Sequence, residues 1–184
     1  MPSFQSFPTT QLSYRSHSLN PRLQELHLPM VALENFLAST KEISVQELEY
    51  VPYQRLVLAH LLDEDCGGSL KKILVETLHD RATGALEIST PPDLHKDDLI
   101  KISTAVSHLV GLPNFDSMSG KYYACFDVKD TDSSDSYLRQ AYRLFTLHTD
   151  GTYVDETTDW VLMLKLKEEN AVGGESRLLH LDDW

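Results

Sequence analysis

Two side chains suited to holding a metal close an apolar run: His148 and Asp150 in LFTLHTDGTYVDE, residues 144–156. An imidazole nitrogen and a carboxylate oxygen form a mixed donor set that suits a divalent first-row ion. If the run is a strand, positions i and i+2 project to the same side, so both donors aim at one point. The pair is short, and a solvated strand end accounts for it as well. The chain supplies its own control in LLHLDDW, residues 178–184, where His180 and Asp182 repeat the spacing. The first pair is followed by Gly151 and, further on, by the turn Gly173-Gly174 with Ser176 after it. The second has no such companions, and His180 is expected to be a strand residue with a satisfied ring.

The chemistry open to the first pair is that of a 2-His-1-carboxylate set, which leaves three coordination positions on a non-haem iron. A bidentate co-substrate takes two of them and O₂ the third. Two arginines precede the pair in SYLRQAYR. By strand parity Arg143 faces away from His148, so Arg139 is the candidate for a substrate carboxylate. Surface pairing of these arginines with Asp132 or Asp135 is an equal alternative.

The elements that must position these residues divide the chain. Residues 1–21 are rich in Ser, Thr, Gln and Pro and are expected to be a mobile tail that docks only near its end. Val31, Leu33, Phe36 and Leu37 recur at helical spacing. Ser44-x-x-Glu47 has the form of a capping box, and Pro52 limits the helix it starts. Leu56, Ala59 and Leu62 predict the next helix. Leu70, Ile73, Leu74 and Leu78 predict another. ALEIST, stopped by Pro91-Pro92, reads as a strand. Leu99, Ile102, Val106 and Leu109 share one face of a helix over 97–110, with Gly111 at its end. Beyond Gly111 the period becomes two: KYYACFDVK, YRLFTLHTD, WVLMLKLK and SRLLHL read as strands. The fold class expected is α+β, N-terminal helices followed by β structure.

Bulk properties narrow the partners. The 184 residues carry 16 Lys+Arg against 28 Asp+Glu, a formal net charge of −12. Such a chain repels phosphate backbones, so no nucleic-acid partner is expected. No apolar stretch is long enough to span a bilayer, and no signal peptide opens the chain, so no membrane partner and a cytoplasmic location are expected. Cys66 and Cys125 are expected to be free thiols.

His148-Thr-Asp150, followed about two dozen residues later by a Gly-Gly turn and Ser176, resembles the clavaminate-synthase-like branch of Fe(II)/2-oxoglutarate oxygenases. The run NFDSMSGKYYACFDVKDTDSSDSYLRQAYRLFTLHTDGTYVDETTDWVLMLKL, with GGESRLLHLDDW after it, resembles the carbon-starvation-induced, glutarate-hydroxylating family within that branch. NPRLQEL and TAVSHLVGLPNFDSMSG resemble it too. The likeness covers nearly everything after the tail.

The resemblance implies N-terminal helices before a jelly-roll (double-stranded β-helix) core, and a homo-oligomer, a tetramer in the family. It implies hydroxylation of glutarate to 2-hydroxyglutarate, with 2-oxoglutarate and O₂ consumed and succinate and CO₂ released. His148 and Asp150 are then two ligands of Fe(II), and Ser176 a hydrogen-bond partner of the distal carboxylate of 2-oxoglutarate. The family's third ligand, a distal histidine, and an arginine beyond it match no residue here. Residues 22–184 are therefore expected to be the N-terminal part of a single oxygenase domain, with an incomplete jelly roll and no activity alone. The alternatives are a non-catalytic binding or assembly fragment, and an oxygenase of the same family that acts on another small carboxylate.

Overall fold

The computed structural model describes residues 11–116, 119–128, 134, 146–150, 158–167 and 176–184. Two compact units emerge: Met1–Leu112 with Leu162–Trp184, and Pro113–Val161. Among the described residues, no helix is long and apolar enough to cross a membrane.

The first unit opens with strands β1 (Ser13–Ser16) and β2 (Leu23–His27). They pair antiparallel, with Arg15 opposite Glu25 and Ser16 opposite Gln24. Side chains reinforce both pairs: Arg15 Nε donates to Glu25 at 2.5 Å, and Ser16 Oγ donates to Gln24 Oε1 at 2.9 Å. Strand β1 thus lies within the segment 1–21 that the composition marks as a tail, of which residues 1–10 lie outside the described residues. Strand β3 (Ala85–Ser89) adds to the other side of β2 in parallel, with Leu23 opposite Ala85. The sheet order is β1-β2-β3.

Among the described residues, five helices accompany these strands, and α4 packs against β3. Helix α1 (Met30–Ser39) follows Pro29 and buries Ala32, Leu33 and Phe36. Val31, expected on that face, is exposed instead. Helix α2 (Val45–Tyr50) starts with the hydroxyl half of the capping box, Ser44 Oγ accepting from the Glu47 N–H at 3.0 Å, while the Glu47 carboxylate accepts from Gln54 Nε2 at 3.1 Å. It stops before Pro52, which opens helix α3 (Pro52–Asp65) at a position where a missing N–H costs nothing. Arg55 turns back to cap α2, donating to the carbonyls of Leu48 and Glu49. Helix α3 buries Leu58, Ala59 and Leu62 rather than Leu56.

A Gly-Gly turn separates α3 from α4 (Leu70–His79). Gly67 and Gly68 both have positive φ, 78° and 68°. The Gly68 N–H donates to the Asp63 carbonyl and the Gly67 N–H to that of Glu64, the paired bonds of a Schellman motif. Asp63 also caps the next helix, its Oδ1 accepting from the Lys71 N–H at 2.9 Å. Helix α4 buries Leu70, Leu74 and Thr77, and Thr77 Oγ1 donates to the Tyr14 hydroxyl at 3.0 Å, docking β1.

Helix α5 (Lys96–Val110) is the longest and buries Ile100, Ile102, Ala105, Val106 and Leu109, ending at Gly111 as its spacing predicts. The core lies where α1, α3, α4 and α5 meet. Phe36, Leu26, Leu33, Leu48, Leu58, Leu62, Leu70 and Leu74 are its fully buried large side chains. Each contributes roughly 1.5–3 kcal/mol relative to exposure.

The period-two runs turn out differently. Among the described residues beyond Gly111, pairing is limited to an isolated bridge between Asp116 and Lys121. Described parts of KYYACFDVK, YRLFTLHTD, WVLMLKLK and SRLLHL lie outside any ladder. Period two encodes an extended chain, but a strand also needs a neighbour to receive its N–H and C=O groups. Leu181–Asp183 forms a short 3-10 helix instead of a strand. The second unit's bridge closes a turn at Gly120, whose φ is 69°. Beside it the Tyr122 and Tyr123 rings meet edge to face at 5.0 Å, and Lys121 Nζ lies 5.5 Å from the centre of the Tyr123 ring.

Candidate metal centre

His148 and Asp150 come together in the second unit, His148 Nε2 lying 3.4 Å from Asp150 Oδ1. A loop, rather than strand alternation, achieves this. Thr146–Thr149 carry no ladder and Asp150 sits in a turn. The positioning contact is local: His148 Nδ1 lies 2.7 Å from the Thr146 carbonyl. A carbonyl only accepts, so Nδ1 carries the hydrogen and the neutral ring has its lone pair on Nε2, the atom turned toward Asp150. This is the arrangement that fixes a ligating histidine, one nitrogen tied to an acceptor and the other presented to the metal.

The separation fits a shared ion. Two donors each about 2.0–2.2 Å from one divalent cation span roughly 3–3.5 Å at ordinary coordination angles. His148 and Asp150 are 43% and 58% exposed, which leaves room for further ligands on the same ion. Among the described residues, no group of three or more His, Cys, Asp and Glu gathers around one point. The pair thus supplies two corners of a coordination sphere.

The control motif behaves otherwise. His180 Nδ1 accepts from the Asp182 N–H at 3.1 Å, and Nε2 lies 3.0 Å from the Arg81 carbonyl, to which it donates. Both nitrogens are engaged with backbone, and the side chain is only 16% exposed. The satisfied ring expected of His180 is present, on a helix cap instead of a strand. Identical spacing therefore gives different contacts: His148 meets one backbone carbonyl and the Asp150 carboxylate, whereas His180 meets two backbone groups.

Ser176 is exposed and belongs to the first unit. Arg139 lies outside the described residues, as do Arg143 and Tyr153. The orienting carbonyl of Thr146 escapes sequence reasoning, because every residue has a carbonyl and only the loop's shape selects this one. Other histidines have local duties on helices. His95 caps α5 by accepting from the Asp97 N–H. His108 is half-buried with Nδ1 on the Thr104 carbonyl, and burial pushes its pKa below the usual imidazole value. Cys66 is a buried free thiol and Cys125 an exposed one.

Comparison with known proteins adds a family. The CsiD family matches residues 12–184 of the chain. The chain is 49% identical over 168 residues to a glutarate 2-hydroxylase of Citrobacter koseri, covering 90% of this chain and 52% of that protein. It is 46% identical over 186 residues to a glutarate 2-hydroxylase of Klebsiella pneumoniae, covering 100% of this chain and 57% of that protein. The chain spans a little over half the length of these relatives.

Proposed function

The chain belongs to the CsiD family, and from that membership we propose that it forms part of an Fe(II)/2-oxoglutarate-dependent dioxygenase that hydroxylates glutarate. The reaction converts glutarate, 2-oxoglutarate and O₂ to 2-hydroxyglutarate, succinate and CO₂. The single observation that carries the site is the His148–Asp150 pair, 3.4 Å apart with the imidazole oriented by Thr146.

His148 and Asp150 would hold the iron, which supplies the activation of O₂ when bound. The residues of this chain do the positioning. Thr146 accepts the Nδ1 hydrogen and so keeps the Nε2 lone pair available. Asp150 brings a hard anionic oxygen that lowers the charge of the site. The Ser176 hydroxyl would donate to the distal carboxylate of 2-oxoglutarate, and the Arg139 guanidinium would pair with a substrate carboxylate. The third ligand, a distal histidine in the family, has no counterpart assigned in this chain. A jelly-roll core, homotetrameric assembly and a cytoplasmic location complete the proposal.

The test is succinate formation that depends on glutarate, Fe(II) and O₂. Activity of a His148→Ala variant equal to that of the parent would refute the ligand assignment. Comparing turnover of glutarate with that of other short dicarboxylates fixes the substrate.

A second reading is a non-catalytic assembly module. The run of exposed apolar residues Leu178, Leu179 and Leu181 favours it, because apolar side chains left on a surface suit association. Full turnover by the 184-residue chain without any added segment would rule it out.

A further inference from the structure

Three contacts bind the segment at residues 176–184 to parts of the first unit far away in sequence. Arg22, just before β2, meets Asp183 bidentately, with Nε 2.7 Å from Oδ2 and Nη2 2.8 Å from Oδ1. Arg81, in the α4–β3 connection, donates Nη2 to Asp182 Oδ1 at 2.7 Å. His180 donates Nε2–H to the Arg81 carbonyl, while its Nδ1 accepts from the Asp182 N–H.

The receiving surface is shaped for this. Arg22 is itself held by Nη1 on the Ala82 carbonyl, and its own carbonyl accepts the N–H groups of Gly84 and Ala85. At Gly84 an added Cβ would lie 3.4 Å from Arg22 Cβ and carbonyl oxygen and 3.6 Å from the His180 ring. These are ordinary packing distances, so the His180 ring lies against this stretch of backbone. Two guanidiniums thus receive one carboxylate-bearing turn, and the imidazole that caps the turn is seated on the Arg81 carbonyl.

We propose that Arg22, Arg81 and His180 are positioning residues that strap the segment to the helical unit and thereby set where Ser176 stands. Only three residues lie between Ser176 and His180, so the chain on that side of the strap has little freedom once His180 is seated. The consequence for the co-substrate rests on the reading of Ser176 given above; the strap itself does not. The contacts are charge-assisted and solvent-facing, so the fastening is reversible and weakened by salt.

The test compares the parent with Asp183→Asn, Arg22→Asp and the exchanged pair Arg22→Asp with Asp183→Arg, in the full chain. Asp183 lies outside the core, so its variant leaves the helical fold intact. Amide hydrogen exchange at Asp182, Asp183 and Trp184 should rise about three- to tenfold in each single variant and recover in the exchanged pair. The dissociation constant for 2-oxoglutarate, measured by calorimetry in the metal-loaded protein, should rise and recover in step. Unchanged exchange in the single variants, or loss without recovery in the exchanged pair, overturns the strap. Recovered exchange with 2-oxoglutarate binding unmoved, while Ser176→Ala weakens it, overturns the positioning role. If Ser176→Ala itself leaves 2-oxoglutarate binding unchanged, the reading of Ser176 fails, and the exchange results still judge the strap.

Discussion

Lys101 on α5 reaches across to the end of α1, its ammonium donating to the Thr40 carbonyl at 2.8 Å. Lys101 is only 6% exposed and Thr40 is fully buried. A positive charge at a helix C-terminus opposes the negative end of the macrodipole, so this lysine belongs to the core as a cap. The Lys101→Met variant keeps the stem and removes the charged donor, leaving the Thr40 carbonyl with the Ile43 N–H as its remaining partner. The expected cost is about 1–3 kcal/mol, read from the midpoint of chemical denaturation. An unchanged midpoint would contradict the capping role.

His148→Ala should weaken binding of Fe(II), or of Mn(II) as its redox-silent substitute. Changes to groups that merely support ligands cost about 10- to 100-fold in affinity, so removing a ligand should cost at least that. Asp150→Asn should weaken binding in the same direction by removing the anionic oxygen. His180→Ala should leave affinity within error, since both ring nitrogens serve backbone groups. Equal losses at His148 and His180 would count against the assignment. Calorimetric titration of the metal decides it.

Asp182 and Asp183 should titrate below the usual carboxylate range. Hydrogen bonds from Arg81 and Arg22, respectively, favour their charged forms. A depressed folded-state pKa stabilises the fold above the ordinary carboxylate pKa of about 3.9. That contribution is lost as pH falls through the folded values. The strap should therefore stay closed from neutrality down to mild acid and open below it. Carboxyl-carbon NMR titration checks this, and Arg22→Ala should move the Asp183 midpoint upward. A midpoint at or above the ordinary value in the parent would be the contrary result.

The two thiols should react very differently. Burial pushes the Cys66 pKa up to about 12, with Asp63 and Asp65 adding repulsion of the thiolate. The thiolate is the reactive species, so Cys66 is inert near pH 8. Cys125 is exposed. Iodoacetamide on the folded protein should label Cys125 alone, and labelling of both should require denaturant. Mass spectrometry reads the result, and early labelling of Cys66 would contradict its burial.

Helices were the legible part of this sequence because their burial follows apolar spacing. The capping box at Ser44 and the end at Gly111 are local chemistry, and both are where the sequence puts them. The buried face of α3 moved by two positions where packing chose Leu58 over Leu56. Strand β2 was hidden because one of its buried positions is Gln24, which hydropathy scores as surface. Its amide is satisfied by Ser16 and the Pro21 carbonyl, and so tolerates burial. The metal pair was legible as residue types but not as geometry. Its orientation depends on the Thr146 carbonyl, and the contrast with His180 depends on the Arg81 carbonyl, neither of which a side-chain pattern encodes.

The parallel pairing of β2 with β3 has a bearing on how the chain is made. Leu23 and its partner Ala85 are separated by all of α1 to α4. At ribosomal rates of about 5–20 residues per second, β2 waits roughly 3–12 seconds for β3 to be synthesised. Among the described residues, its strand partner during that interval is β1, so a hairpin with an open edge precedes the sheet. The four intervening helices shorten the gap the ends must bridge. The sheet beside which Arg22 stands is therefore completed only once β3 has been made.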